Sequence, residues 1–374
     1  MKFQVLQENI EKAVNITSRF ANTRAQLPVL GNILITTRKS KIYITSTNLE
    51  ISASIQIGAK IDEEGDISVP AKVISELISN LPKETISIET DREQLKISSS
   101  GFSSTILGMN SSDFPKVPNF VDEKKSISFP KEVLVQSLEK VSFASSIDET
   151  RPILTGVLFI LGKGELSLVA TDGFRLSRKK IKNKEFLMDK KSFVIPKGVL
   201  SEISRGVFTG ESILMEPEEG DKQVIFGIDD TVLSSRLIEG DYPDFEKIIP
   251  KESNIKVFLD KEEFLRAIKL ASIFARESAN VVKIKIFKDS IKVSAESSTA
   301  GSQEAKIDAK IESDISETNN GKFEIAFNYR YLEEFIHSVK GEEICMEFLN
   351  STSAGVFKDT TDSEYLHLIM PVKI

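Results

Sequence analysis

Tryptophan is absent from this 374-residue chain, cysteine occurs once, at Cys345, and histidine twice, at His337 and His367. One cysteine builds no disulfide framework. Two histidines and that cysteine make neither a zinc-ligand set nor a nucleophile–base pair. His337 lies in a helical run and reads as a surface or partly packed residue. No Walker-type phosphate loop is present. Gly162-Lys163-Gly164 reads as a hairpin turn between Phe159 and Leu166, and Asp172-Gly173 as another turn. These absences weigh against catalysis and predict no metal and no cofactor. No apolar stretch reaches the length that spans a bilayer, so no membrane partner is expected. Met1 to Glu8 carries no signal-peptide apolar region, which predicts a cytoplasmic protein.

What is present is the balance of a globular chain: 40% hydrophobic and 28% charged residues, so disorder is not the default. The net charge of −7 argues against a surface that meets nucleic acid everywhere. It permits a protein that meets phosphate on one internal face and is acidic elsewhere, where acidity discourages non-specific adhesion.

An internal repeat organises the chain. The apolar-periodic run Glu8 to Phe20, followed by Pro28-Val29-Leu30-Gly31-Asn32-Ile33-Leu34-Ile35, returns 124 residues later as the run from Glu132 and Pro152-Ile153-Leu154-Thr155-Gly156-Val157-Leu158-Phe159. At the same offset Thr47-Asn48-Leu49-Glu50 faces Thr171-Asp172-Gly173-Phe174. Val69-Pro70-Ala71-Lys72 is echoed by Ile195-Pro196-Lys197-Gly198, and Asp113-Phe114-Pro115 by Asp241-Tyr242-Pro243. A fainter third copy has Phe264 to Phe274 as its first helix, strands at Val282 to Phe287 and Ser290 to Ala295, and Phe327-Asn328-Tyr329-Arg330-Tyr331 at the second helix start. The repeats divide the chain into domains 1–121, 122–251 and 252–374, each a common domain size.

Within the first repeat, Ile10, Ala13, Val14, Thr17 and Ala21 fall at helical spacing. Strands are predicted at Asn32 to Thr37, Lys41 to Ser46, Ile51 to Ile57, Thr85 to Glu89, Gln94 to Ser98 and Ser103 to Met109. Pro70 opens a second helix whose apolar face is Val73, Ile74, Leu77, Ile78 and Leu81. Each unit thus carries two helices and roughly eight short strands, an α+β arrangement with helices on one side of antiparallel sheet.

This order resembles the bacterial DNA polymerase III beta subunit family over essentially the whole chain. The resemblance rests on Leu27-Pro28-Val29-Leu30-Gly31-Asn32, Ala170-Thr171-Asp172-Gly173-Phe174-Arg175-Leu176, Glu239-Gly240-Asp241-Tyr242-Pro243-Asp244-Phe245 and Met370-Pro371-Val372-Lys373-Ile374, all four in order. It implies a sliding clamp, a non-catalytic processivity factor of DNA replication: a head-to-tail homodimer closed into a six-domain ring around duplex DNA. The implied partners are the polymerase III alpha subunit, the clamp loader and other proteins carrying clamp-binding motifs. Domain size is compatible. A globule of this length is roughly 35 Å across; three in contact leave a gap of about 5 Å, and six in a ring leave about 35 Å. Two chains can therefore encircle a duplex and one cannot.

Candidate phosphate contacts lie on the helices off the apolar stripes: Lys12 and Arg19, seven apart on one face, then Arg24 in the loop that follows, Lys72, Lys197 and Arg205, with Lys131, Lys140, Lys269, Arg276 and Arg330 behind them. Arg24 and Lys72 match family positions implicated in DNA contact. Solvated helix faces are the plain alternative, since Glu8, Glu11, Glu139 and Glu202 share those helices. The resemblance also implies a cleft for partner peptides at Arg151, Leu154, Thr171, Gly173, Phe174, Arg175, Leu176, Pro243, Lys247, Ile248, Asn328, Tyr331, Leu368, Met370, Pro371 and Val372. Such a cleft needs an apolar pocket with a few polar fixers; Met370 is an adaptable wall and Arg175 a group able to hold a peptide carbonyl or carboxylate. Leu368 to Val372 reads alternatively as a final core strand. Phe174 stands where relatives often have histidine, and Pro152-Ile153 where some have a tyrosine pair. A dimer seam is implied between Ser104 and Ile106, on the strand Ser103 to Leu107, and Ile273 and Phe274 beside an edge strand of the partner. Gly101 and Ser103 occupy positions that are basic elsewhere, so a more apolar seam is expected. The competing functions are an enzyme, a rod of β-rich repeats, and a eukaryotic-type clamp of two units per chain; the triplication disfavours the last.

Overall fold

The computed structural model describes residues 1–22, 26–183, 186, 190–205, 208, 210–218, 220, 222–312 and 323–373. The first repeat holds β1 (Lys2–Leu6), α1 (Gln7–Thr17), β2 (Asn32–Arg38), β3 (Lys41–Thr47), β4 (Ile51–Gly58), β5 (Lys60–Glu63), β6 (Gly65–Pro70), α2 (Ala71–Ser79), β7 (Thr85–Asp91), β8 (Gln94–Ser99) and β9 (Phe102–Leu107). The second holds β10 (Ile127–Pro130), α3 (Lys131–Glu139), β11 (Gly156–Gly162), β12 (Glu165–Thr171), β13 (Arg175–Lys182), β14 (Lys191–Pro196), α4 (Lys197–Ser204), β15 (Ser212–Glu218), β16 (Gln223–Ile228) and β17 (Thr231–Arg236). The third holds β18 (Ile255–Asp260), α5 (Lys261–Ala275), β19 (Val281–Ile286), β20 (Ser290–Ser297), β21 (Gly301–Asp308), β22 (Lys310–Glu312), β23 (Phe323–Asn328), α6 (Tyr329–Ser338), β24 (Glu343–Phe348), β25 (Gly355–Asp359) and β26 (Tyr365–Ile369).

The chain forms two compact units, Met1–Leu134 with Gly198–Leu237, and Val135–Lys197 with Ile238–Ile374. The first contains sheets of order β5-β1-β7-β8-β9 and β10-β15-β16-β17-β4-β3-β2-β6. The second contains β14-β11-β12-β13-β26-β25-β24-β18-β22 and β21-β20-β19-β23. Strands of successive repeats pair antiparallel inside each unit: β17 with β4, Thr231 opposite Ile55, and β13 with β26, Arg175 opposite Ile369. A hydrogen-bonded ladder therefore carries one repeat into the next.

The offset of 124 residues is visible in backbone chemistry. Asn48 Oδ1 accepts from the amides of Glu50 and Ile51, and Asp172 Oδ1 from those of Phe174 and Arg175. Thr47 and Thr171 each donate from Oγ1 to the carbonyl four residues on. Both turns need a left-handed residue, Leu49 at φ 75° and Gly173 at φ 93°. Only the glycine adopts it without strain.

Alternation sets the cores. β7 buries Ile86 and Ile88, β19 buries Val282, Ile284 and Ile286, and α5 buries Phe264, Ala267, Ile268 and Ala271 at helical spacing. The third repeat's core is aromatic: Phe357 packs edge-on to Phe327 and Phe348 at 5.5 and 6.2 Å. Helices pair, α1 with α2 and α5 with α6, with α1 against β3 and β4 and α5 against β20 and β21. Asp260 and Asn328 cap α5 and α6 through their side-chain oxygens.

Three sequence boundaries shift. The first helix ends at Thr17, and Ser18–Phe20 form a 3₁₀ turn; Thr17 bonds back to Ala13 through its hydroxyl. The last strand of the first repeat stops at Leu107, because Gly108 lies against the Ser68 carbonyl and Met109 bridges Ser68 instead. On α2 only Ile74 and Ile78 of the predicted stripe are fully buried, with Leu81 beyond its end, whereas Val73 is exposed and Leu77 half-buried.

Candidate partner-binding cleft and phosphate-facing residues

The proposed cleft residues fall within the second compact unit. Its floor is one face of the nine-stranded sheet. Leu176 of β13 lies opposite Leu368 of β26 and Thr171 of β12, and Leu158 of β11 opposite Val169. Leu158, Val169, Leu176, Val194, Val356, Leu366, Leu368 and Phe245 form one buried cluster, with Ile153, Ile160, Ile238, Tyr242 and Ile249 packed against it. Leu154 is also buried. Around this floor, Phe174 (59% exposed), Ile248, Met370 and Val372 stand open to solvent. Arg151, Gly173, Pro243 and Lys247 are exposed, and Asn328, Tyr331 and Pro371 are intermediate. Exposed apolar side chains beside a buried leucine cluster are the kind of feature that marks a binding site.

The Asp172–Arg175 turn builds one wall. Gly173 N donates to Thr171 Oγ1 at 3.0 Å, fixing the bend that turns Phe174 outward. Met370 N then donates to the Phe174 carbonyl at 2.8 Å, tying the terminal segment to that turn. The C-terminal residues therefore divide: Leu368 is the last core strand, whereas Met370, Pro371 and Val372 lie past the end of β26 as cleft rim. Ile374 lies outside the described residues.

Arg175 has a different job from the one its sequence suggests. It is 9% exposed. Nε donates to Asp172 Oδ2 at 3.1 Å and an Nη to the Phe143 carbonyl at 2.8 Å. The guanidinium also pairs with Glu334 and lies over the Tyr331 and Phe143 rings, 4.6 and 5.5 Å from their centroids. With those groups engaged, Arg175 positions the wall and is not free to grip a peptide. Sequence reasoning missed Phe143 and Glu334, and quoted Phe245 only as part of a motif; no spacing in the sequence ties them to the turn. Val169 and Leu366 were findable from alternation along β12 and β26. Burial pushes the Tyr242 phenol up, and its hydroxyl donates to the Val169 carbonyl at 3.4 Å.

The phosphate candidates sort by neighbours. In the first unit Lys12 and Lys72 are exposed, Lys72 lying 4.0 Å from Glu76. Arg19 and Arg205 both reach Glu202, so one carboxylate orients two guanidiniums. Arg24 lies outside the described residues. In the second unit Lys197 is half-buried, its ammonium pKa lowered by burial and by Arg175. Lys269, Arg276 and Arg330 are exposed. Lys131 donates to the Phe208 carbonyl. Lys140 is a correction: at 6% exposed and paired with Asp359 and Asp362, it cannot face a phosphate.

The seam residues also divide. Ile106 is 5% exposed and belongs to its own core, because on β9 the alternation turns Leu107 outward at 71% exposed. Ser104 is intermediate. Ile273 is 57% exposed, and Phe274 packs against the third repeat's core. Among the described residues no group of His, Cys, Asp and Glu could hold a metal ion. No described helix is long and apolar enough to cross a membrane.

A triplicated α+β scaffold with exposed apolar side chains and exposed helix cations has the surface features of a binding protein. Profiles of the DNA polymerase III beta subunit match its N-terminal domain at residues 1–118, its central domain at 128–244 and its C-terminal domain at 246–373. The chain belongs to the DNA polymerase III beta subunit family, and its function is the family's, a processivity clamp without catalysis of its own. It is 28% identical to the beta sliding clamp of Staphylococcus aureus, covering 100% of this chain and 99% of that protein. The crystal structure of the Bacillus subtilis DNA polymerase sliding clamp is similar with a TM-score of 0.93 and 28% identity, over 100% of this chain and 99% of that one. A putative DNA polymerase III beta subunit from Eubacterium rectale gives 0.92 and 26%, with both chains fully covered.

Proposed function

We propose that two copies of the chain join head to tail into a ring of six domains, 1–121, 122–251 and 252–374 from each, that encircles duplex DNA and tethers its partners there. The observation that carries this is a pair of open edges: β9 and β21 each lie at the end of their sheet among the described residues. Such edges are natural joining points. Beside β9 a groove of about 430 Å³ is lined by Val73, Leu77, Leu81, Pro82 and Phe102, with Glu76 and Asn80 at its polar side, a receptor for apolar residues such as Leu270 and Ile273, exposed on α5. Val73 and Leu77, left uncovered on α2, thereby gain a partner. β9 carries no charge from Phe102 to Leu107, in keeping with an apolar seam. A head-to-tail interface whose rotation closes after two copies gives such a ring.

Lys12, Lys72, Arg19, Arg205, Lys197 and Arg24 supply the phosphate contacts, which are sequence-independent and so permit sliding. The polymerase alpha subunit, the clamp loader and other motif-bearing proteins dock short apolar segments between Phe174, Ile248, Met370 and Val372. The working location is the cytoplasm, on the nucleoid. After assisted loading, a nicked DNA circle retains the protein, and cutting the circle to a line releases it. Release governed by salt alone, indifferent to linearisation, refutes encirclement.

A further inference from the structure

The cleft floor does not end at Leu176. Side chains two apart on a strand share a face, so Leu176, Arg178 and Lys180 of β13 follow one another on the side that carries the apolar cluster. Arg178 lies opposite Val169 on one neighbouring strand and Leu366 on the other, both members of that cluster. From Arg178 onward the surface becomes a groove of about 290 Å³. Lys163, Arg178, Lys180 and Lys190 line it, against Glu165 and Glu246, so cations outnumber carboxylates four to two. Lys180 and Glu165 already pair at 2.8 Å. Lys163 is presented by the Gly162–Gly164 turn, where Lys163 and Gly164 both take positive φ, 56° and 76°.

Arg178 is one of the buried side chains left with an unsatisfied polar atom, and the one that lines this groove. Its Nε is fully buried and has no hydrogen-bond partner among the described residues. A buried donor without an acceptor is costly, more so on a charged group. Arg175, three residues earlier on the opposite face, shows what this fold does when a guanidinium is structural: it supplies Asp172, Glu334 and a carbonyl. Glu165, Glu246 and Glu364 act on Arg178 electrostatically, but none bonds its Nε.

We infer that this groove is an acidic-residue subsite of the partner cleft, in which Arg178 receives a carboxylate that the partner segment carries two or three residues from its apolar anchor. The spacing follows from the strand: Leu176 and Arg178 are about 7 Å apart, the span of two extended residues in a docked peptide. Lys163 and Lys190 add field rather than geometry. The inference rests on the apolar cleft being the partner site.

Two end-labelled dodecapeptides test both readings by fluorescence polarisation with the full chain. Both carry one Leu-Leu-Phe anchor, followed by three glutamates in one and three glutamines in the other. The glutamine peptide reports the cleft, and the difference between the two reports the groove. The glutamate peptide is expected to bind at least about tenfold more tightly at low salt, the scale of one charge-assisted hydrogen bond, with the advantage shrinking as salt rises. Arg178→Gln should remove that advantage and leave glutamine-peptide affinity unchanged; Lys163→Gln with Lys190→Gln should remove a smaller part. Equal weakening of both peptides by Arg178→Gln, or no preference in the unaltered protein, overturns the subsite. Loss of retention on closed DNA circles in Arg178→Gln, with peptide binding intact, assigns the groove to nucleic acid and overturns it too. Failure of both peptides to bind sinks the cleft reading, and this one with it.

Discussion

Replacing Lys140 by methionine isolates one buried charge in the second unit. The ammonium lies 2.6 Å from Asp362 and 3.4 Å from Asp359, and 5.0 Å from the Tyr365 ring centroid. It thus fastens the end of α3 to the segment between β25 and β26, one repeat to the next. Methionine preserves most of the apolar stem and removes the charge. Breaking a buried pair from one side costs about 3–5 kcal/mol, since the other charge is stranded. Here the stranding is partial. Asp362 keeps Lys179 at 2.6 Å, and Asp359 keeps the amide and hydroxyl of Thr361 and the Lys340 amide. The loss should therefore lie below that range, about 2–3 kcal/mol. Hydrogen exchange over residues 355–369 with rising urea reads it locally, where a chain of several domains does not unfold in two states. Adding Asp359→Asn should recover part of the loss. A Lys140→Met variant within about 0.5 kcal/mol of the parent, the ordinary range of surface substitutions, would refute the claim that this ammonium stabilises the joint. The aspartates predict the acid limb. Burial raises both, and the hydrogen bonds and lysine charges outweigh it, so their pKa values end below the usual 3.8. A depressed carboxylate contributes stability above its unfolded pKa and loses it as pH falls through the folded value. Lys140→Met should shrink that loss below about pH 4.

His367 gives a second pH window. Its ring is fully buried, bonded through Nδ1 to Ser177 Oγ at 2.6 Å, and burial, then Arg175, holds its pKa well below 6.5. The unfolded chain binds a proton that the folded chain refuses, so stability should fall by up to ~1.4 kcal/mol per pH unit from about 6.5 to 5; His367→Gln should flatten that slope in urea titrations. Ile273→Asp should shift the dimer toward monomer by at least tenfold in dissociation constant, as a charge buried at an apolar seam requires, and unchanged mass in sedimentation equilibrium would defeat the seam. Leu107→Asp should do the same, whereas Ile106→Val, inside the core, should cost only about 1 kcal/mol of stability and leave the dimer intact. Removing residues 370–374 should weaken apolar peptides by more than about tenfold without opening the ring; unaltered affinity would misplace the cleft.

The repeat was legible because it is written in backbone chemistry. Thr-Asn at 47–48 and Thr-Asp at 171–172 encode the same turn, and an Asx side chain bonding its own following amides is a local event. Helix existence was legible for the same reason, from spacing. What escaped was long-range. Nothing adjacent to Lys140 in sequence announces Asp359 and Asp362, so a helix cation that reads as phosphate-facing is spent inside the joint. Ile106 and Leu107 differ by one residue, and the pleat sends them to opposite faces; strand phase, not composition, decides which is buried. Arg175 looked like a ligand-binding arginine and is a structural one, because Phe143 and Glu334 arrive from distant segments.

The same phase explains how one strand serves two purposes. On β13, Arg175, Ser177 and Lys179 face one side and meet Asp172, His367 and Asp362, a polar seam with its partners in place. Leu176, Arg178 and Lys180 face the other. There the leucine joins the apolar floor and the arginine Nε finds no acceptor. Arg175 with its partners in place on one side and Arg178 with an unmet Nε on the other, three positions apart, argues that the unmet donor is kept for something outside the chain. An acidic protein of net charge −7 presenting a cationic groove beside an apolar cleft would favour partners whose docking segments join a hydrophobic anchor to a carboxylate, and a neutral segment with the same anchor would dock less tightly.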